Sequence, residues 1–261
     1  MRPPWHFNGQ AACTVSFISQ ATILRCAMAA GQVKSAALTG ARGALIVFEG
    51  VDRSGKTTQA KQLVSQLNSS GTPAEFWRFP DRETPTGIMI NDYLTNKSDL
   101  DDRVVHLLFA ANRWEKRALL LEKLERGTTL IVDRYSFSGV AFSAAKQVEG
   151  LDLKWCAASE VGLPRPDAVL FMSLSPEQAA ARGGFGEERY ETQERQAAVR
   201  QQFALLHDAS YWHTIDAGGS VAEVQGRVQE VAQACLATVA DTPVGTLWTE
   251  PGSCPGSGAD R

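Results

Sequence analysis

Gly50-Val51-Asp52-Arg53-Ser54-Gly55-Lys56-Thr57 decides the fold of this chain, because it fills every fixed position of the phosphate-binding pattern G-x-x-x-x-G-K-[ST]. The flanks agree with it. Ala44-Leu45-Ile46-Val47-Phe48 has the length and β-branched content of a buried strand. Thr58 to Leu67 places Ala60, Leu63, Val64 and Leu67 at helical spacing. Strand, glycine loop and helix are the context that makes the motif count. Glycines let backbone N–H groups from Gly50 through Ser54, Gly55 and Thr58 converge on phosphate oxygens, and the helix N-terminus adds its positive end. Lys56, expected as an exposed loop lysine, bridges the terminal phosphates in this reading, and the Thr57 hydroxyl ligates Mg²⁺. A plain glycine turn before a helix is the alternative. The stretch reads as a nucleoside triphosphate site.

The 261 residues suit one α/β domain with appendages, and the composition is that of an ordinary globular protein. A net charge of -3 without a long basic run argues against general nucleic-acid binding. Cys13, Cys26, Cys156, Cys235 and Cys254 show no metal spacing and suit free thiols in a reducing compartment. No apolar run approaches a membrane span. Residues 1–41 carry Arg2, Arg25 and Lys34, with Arg42 just beyond, are rich in Ala, Ser and Thr, and hold no acid, the first acidic residue of the chain being Glu49. That is the composition of an organelle transit peptide. The alternative is an untidy extension ahead of a second start at Met28. Residues 42–248 form the expected domain, and 249–261 read as a disordered Pro/Gly/Ser tail.

Further strands are expected at Pro73 to Pro80, Thr128 to Asp133, Ala168 to Leu174 and Tyr211 to Asp216, alternating with helical patterns. Such alternation argues for a parallel sheet with helices on both faces and ligands at the carboxyl ends of the strands. Asp133-Arg134-Tyr135 closes one strand, where an acid can orient hydrated Mg²⁺; a helix cap is the alternative. Phe79-Pro80-Asp81-Arg82 closes another, so Arg82 and Arg134 can grip a second phosphate group. Asp102 to Lys116 reads as a helix, entered at Asp99 or Asp101, with Phe109 and Arg113 on one face. These two could stack on and hydrogen-bond a nucleobase, although an aromatic at this spacing is more commonly core. Arg182 to Tyr190, with three glycines, suits a short mobile lid, a surface loop being the alternative. Asn96-Lys97-Ser98-Asp99 spells a guanine-reading tetrapeptide but does not end a buried strand, so a helix-entry loop explains it better.

Together these stretches resemble the eukaryotic thymidylate kinases, P-loop nucleoside monophosphate kinases that phosphorylate dTMP with ATP. The likeness runs from about Arg42 to Trp248 and also rests on His106 to Trp114, Ser138-Gly139-Val140-Ala141-Phe142, Gly162 to Asp167 and Arg189-Tyr190-Glu191. It implies a three-layer P-loop fold with a five-stranded parallel sheet, and a homodimer. Asp52 would accept from the 3′-hydroxyl of dTMP and Arg53 would contact the transferring phosphoryl group. Arg82 and Arg134 would hold the dTMP phosphate, and Phe109 would stack on thymine while Arg113 donates to its carbonyl. Phe79, Ser138 and Gly139 would complete the acceptor site, with Tyr190 near the deoxyribose. Arg182 would meet the adenine side, and Asp133 would lie beside Mg²⁺. Lys56-Thr57-Thr58 stands where Lys-Ser-Thr is usual in animal members, a change that keeps the hydroxyl. Residues 1–41 and the tail after Trp248 match nothing in that family; the expected location is the cytoplasm, or the mitochondrion if residues 1–41 act as a transit peptide. Another P-loop nucleoside or nucleotide kinase, or a non-catalytic homologue, is the competing reading.

Overall fold

The strand that opens into the glycine loop is also the centre of the sheet. In this computed structural model, which describes residues 41–175, 178, 189–190 and 192–249, β1 (Leu45–Glu49) is buried along its whole length. Next to it run β3 (Thr129–Asp133) and β4 (Ala168–Ser173), and beyond these β2 (Ala74–Arg78) and β5 (Trp212–Asp216). The order is β2-β3-β1-β4-β5 and every pairing is parallel. This explains why β1 and β3 are unbroken apolar runs: a parallel strand covered on both faces has no water side.

Successive side chains of β1 enter different cores. Leu45 and Val47 join Phe137, Val140, Phe203 and Trp212, beneath α5 (Ser136–Ala144) and α7 (Gln193–Leu206). Ile46 and Phe48 join Ala60, Leu63, Val224 and Val228, beneath α1 (Lys56–Ser69) and α8 (Val221–Val239). Each buried Val, Leu, Ile or Phe among these contributes roughly 1.5–3 kcal/mol by leaving water. The result is the expected three-layer arrangement.

The remaining described helices are α2 (Pro85–Leu94), α3 (Asp102–Trp114), α4 (Arg117–Glu125) and α6 (Leu153–Ala158). The Asp101 carboxylate caps α3 by accepting from the Arg103 and Val104 amides, which settles the choice of cap. Asn96 to Asp99 lies in the turn between α2 and α3, as a helix-entry loop should. Ile90, Tyr93 and Leu94 of α2 pack with Val105 of α3 and with Tyr190 in a third, smaller apolar cluster.

Connections from β1 and β3 leave in opposite directions across the sheet, β1 toward β2 and β3 toward β4. Neighbouring strands that part in this way leave a crevice at their carboxyl ends. There the register sets Phe48 beside Asp133, and Arg134 N–H donates to Phe48 O at 3.0 Å. The glycine loop and Asp133-Arg134 therefore face one another.

Candidate active site

A cavity of about 530 Å³ occupies that crevice, and Asp52, Arg53, Gly55, Lys56, Thr57 and Thr58 form one wall. α1 begins there without a side-chain cap: Gly55 at its N-cap adopts φ 92°, and the first turn holds no acid. Its leading N–H groups and its positive end are left for an anion. Gly50 and Ser54, also expected at the phosphates, belong to the same loop but are not among the residues lining the cavity. Gly50 takes φ 137°, and a Cβ there would sit 2.7 Å from Met172 O, so the residue shapes the loop. Ser54 is buried and accepts from Lys56 Nζ at 3.3 Å.

Lys56 corrects another expectation, since it is buried rather than exposed. Its ammonium donates to Val51 O at 2.7 Å. Burial, and then Arg134, push its pKa down to about 8 against the opposing pull of Asp133, Asp52 and Glu49. Across the cavity the Thr57 hydroxyl donates a short hydrogen bond to Asp133 Oδ2, so the two proposed metal ligands already touch.

Arg134, at φ 67°, sits at the meeting point of several groups. It pairs with Asp52 Oδ1 and donates to Ser138 Oγ at 3.0 Å and Gly50 O at 3.3 Å, with its Cζ 5.1 Å from the Phe142 ring centre. The other Asp52 oxygen accepts from Gln196 Nε2 at 2.6 Å. Burial works against the Asp52 charge, but Arg134 and Lys56 outweigh it and hold the pKa below the usual carboxylate value.

Glu49 supports this arrangement from beneath. Its Oε1 accepts from the Tyr135 and Ser138 amides at 2.9 and 3.1 Å, and its Oε2 accepts from Ser138 Oγ at 2.5 Å. The last residue of β1 thus caps α5 and aims Ser138 at Arg134. Burial raises the Glu49 pKa despite these donors and the charge of Arg134.

The far end of the cavity is lined by Arg82, Phe109, Arg113, Ser138, Gly139 and Tyr190, along with Phe142 and Ser143. Phe109 is half-buried: it lines the wall of the cavity and also packs against the cluster of Ile90, Tyr93, Leu94, Val105 and Tyr190, so it has both a cavity face and a core face. Phe79 also lines the cavity, as expected, while most of its ring is buried in the core against Tyr135, 5.8 Å between centres. Its service is to the loop that carries Arg82. Asn112 of α3 holds that loop as well, with Oδ1 accepting from Asp81 N at 2.7 Å and Nδ2 donating to Asp81 O at 3.0 Å. Arg82 Nη1 donates to Asn91 Oδ1 at 3.0 Å. Tyr190 donates to Tyr93 Oη at 3.3 Å, and burial raises its pKa. Arg182 and the expected lid as far as Glu188 lie outside the described residues.

Glu49, Gln196, Asn112 and Glu160 were not singled out from the sequence. Their partners stand far away in the chain: 86 residues for Glu49 to Tyr135, 144 for Gln196 to Asp52. One signal was available for Glu49. A carboxylate ending a wholly apolar strand next to a phosphate loop must be either at the surface or partnered. No comparable signal marks Gln196.

Fold and site together define a phosphoryl-transferring enzyme of the P-loop class. The family model for thymidylate kinase matches residues 48–228. Thymidylate kinase from Arabidopsis thaliana is 56% identical over 209 residues, which cover 80% of this chain and 78% of the relative. The Homo sapiens thymidylate kinase is 49% identical over 211 residues, covering 79% of this chain and 98% of the relative. The solved thymidylate kinase from Candida albicans superposes with a TM-score of 0.73 at 36% identity, covering 80% of this chain and all of the other. The chain belongs to the thymidylate kinase family.

Proposed function

We propose that this chain transfers the γ-phosphoryl group of ATP to dTMP, giving ADP and dTDP. One observation supports this most: a single cavity joins an uncapped helix N-terminus and Lys56 at one end to Arg82, Phe109 and Arg113 at the other. Arg134, paired with Asp52 of the phosphate loop, stands between these ends, and together with Arg82 it would hold an acceptor phosphate. A nucleoside kinase has no acceptor phosphate for Arg82 to hold.

The acceptor is already a nucleophile, because a phosphate monoester with a second pKa of about 6 is largely doubly ionised near neutral pH. A strong base is therefore unnecessary, and positioning with charge neutralisation does the work. Lys56 and the α1 amides would hold the donor phosphates, Arg53 the moving group, and Arg134 and Arg82 the acceptor phosphate. Asp52, fixed by Arg134 and Gln196, offers its carboxylate to the 3′-hydroxyl. Phe109 stacks on the base and Arg113 donates to its carbonyl. The C4 amino group of dCMP would face that donor with another donor, so dCMP is disfavoured.

Thr57 and Asp133 fit a Mg²⁺ ion. Among the described residues no group of three or more His, Cys, Asp and Glu is assembled, and Mg²⁺ on a nucleotide requires none. It takes one or two protein oxygens and completes its shell with water and phosphate. Mg²⁺ held there would offset charge on the donor phosphates.

The same reading includes a homodimer. α3 exposes Val104, Leu107 and Trp114, with Ala111 between them, at spacings of three, four and three residues. This is one apolar stripe on the side of the helix away from the cavity. ADP release measured with dTMP, dUMP, dCMP and thymidine as competing acceptors tests the assignment. dTMP should be the preferred acceptor and thymidine inert; faster turnover of thymidine or dCMP would overturn it.

A further inference from the structure

Arg113 is a guanidinium almost without solvent, and a second residue determines where it points. Glu160, fully buried in the turn after α6, accepts from Arg113 Nε at 2.8 Å through Oε2 and from Nη2 through Oε1. This is a two-pronged, coplanar contact, which fixes the guanidinium plane as well as its distance. Gly139 closes the other side: a Cβ there would stand 3.0 Å from Arg113 Cζ. Of the five N–H donors of an arginine, two go to Glu160, so the remaining three are what Arg113 can present to the cavity it lines. Glu160 is not in that wall, so any influence it has on an acceptor passes through Arg113.

We propose that Glu160 is the positioning residue for acceptor-base selectivity, acting on the pyrimidine only through Arg113. The proposal rests on the reading of Arg113 as the donor to the base carbonyl. A guanidinium released from Glu160 keeps its charge but loses its direction. A charge attracts dTMP and dCMP alike, whereas a directed N–H separates a carbonyl from an amino group. Misplacement of such a group by about 1 Å costs up to 10²-fold.

The readout is the ratio of kcat/KM for dTMP to that for dCMP, taken on one preparation. The fraction of folded enzyme cancels in this ratio, so a purely structural role for Glu160 leaves it unchanged. Glu160→Gln retains one acceptor and substitutes a donor for the other, so the ratio should drop roughly 10- to 100-fold. If the glutamine variant does not fold, Glu160→Asp keeps the charge and withdraws it by one methylene, and the ratio should drop by less. Arg113→Met should lower the ratio by itself, and adding Glu160→Gln to it should change nothing more. An unaltered ratio in the Glu160 variants, with a fallen ratio in Arg113→Met, overturns the positioning role and leaves the base reading intact. An unaltered ratio in Arg113→Met overturns both. A further fall in the double variant would show that Glu160 acts on the acceptor by another route, which also overturns the proposal.

Discussion

Lys56 combines two demands that oppose each other: it must be charged to meet phosphate, and it is buried where charge is costly. Burial first, and Arg134 second, bring its pKa from 10.5 to about 8. An unfolded chain keeps the ordinary value and so binds more protons than the folded one between these limits. Stability of the nucleotide-free protein should therefore rise with pH from about 8 to about 10 through this group. ATP affinity should move the opposite way. Below about pH 8 the ammonium is already charged, whereas above it ATP binding must draw in a proton, so affinity should fall by up to tenfold per pH unit. Calorimetry in buffers of different ionisation enthalpy checks this by detecting proton uptake on binding at pH 9. Lys56→Met should remove both trends and lower kcat by about 10²-fold or more. A variant that kept the wild-type pH dependence would return the effect to some other group.

α3 is the element in which packing and chemistry are most closely joined. Its inner face carries Val105 and Ala110 in the core, Asn112 holding the Arg82 loop, and Phe109 and Arg113 at the cavity. Because Phe109 is only half-buried, Phe109→Ala should act on binding more than on folding. The expected outcome is a rise in KM for dTMP, from a lost stacking contact of roughly 1–3 kcal/mol, with KM for ATP little changed. A fall in Tm with both KM values altered equally would make the core face of the ring the one that matters. How far the sequence could be read follows from the same distinction. β1, β3 and β4 were legible since burial on both faces leaves continuous apolar runs, and the glycine loop was legible since its partners are local. The paired faces of α3 were only half legible: helical spacing puts Phe109 beside Arg113, but spacing cannot say whether a face meets core or cavity. Helix α2 had no reading at all, although Ile90, Tyr93 and Leu94 recur at helical spacing and Thr84-Pro85 marks its start, because exposed Ile88 and Met89 blur the stripe. Glu160 and Gln196 were hidden for a different reason. Their meaning lies in partners 47 and 144 residues away, and nothing local distinguishes them from solvated polar residues.

At the scale of the whole molecule, two proposals concern what surrounds the catalytic domain. Residues 1–41, of which 1–40 lie outside the described part, are proposed to be an extension without a targeting role in a cytoplasmic enzyme. Fused to a fluorescent reporter they should leave it diffuse, and accumulation in mitochondria would make them a transit peptide instead. The second proposal concerns the outer face of α3. Val104, Leu107 and Trp114 are 45%, 47% and 38% exposed, although each would gain by leaving water. A second copy of the chain would cover this stripe with the same stripe, as a two-fold interface requires. Leu107→Glu then sets two carboxylates near a symmetry axis in an apolar surrounding, and should weaken dimerisation roughly 100-fold or more. Sedimentation equilibrium at micromolar concentration should find dimers for the wild type and monomers for the variant. A monomeric wild type would sink the proposal. The same variant also asks whether assembly matters to catalysis. One helix presents Leu107 outward and Phe109 with Arg113 inward, so a loosened α3 should raise KM for dTMP and leave ATP binding at α1 as it was.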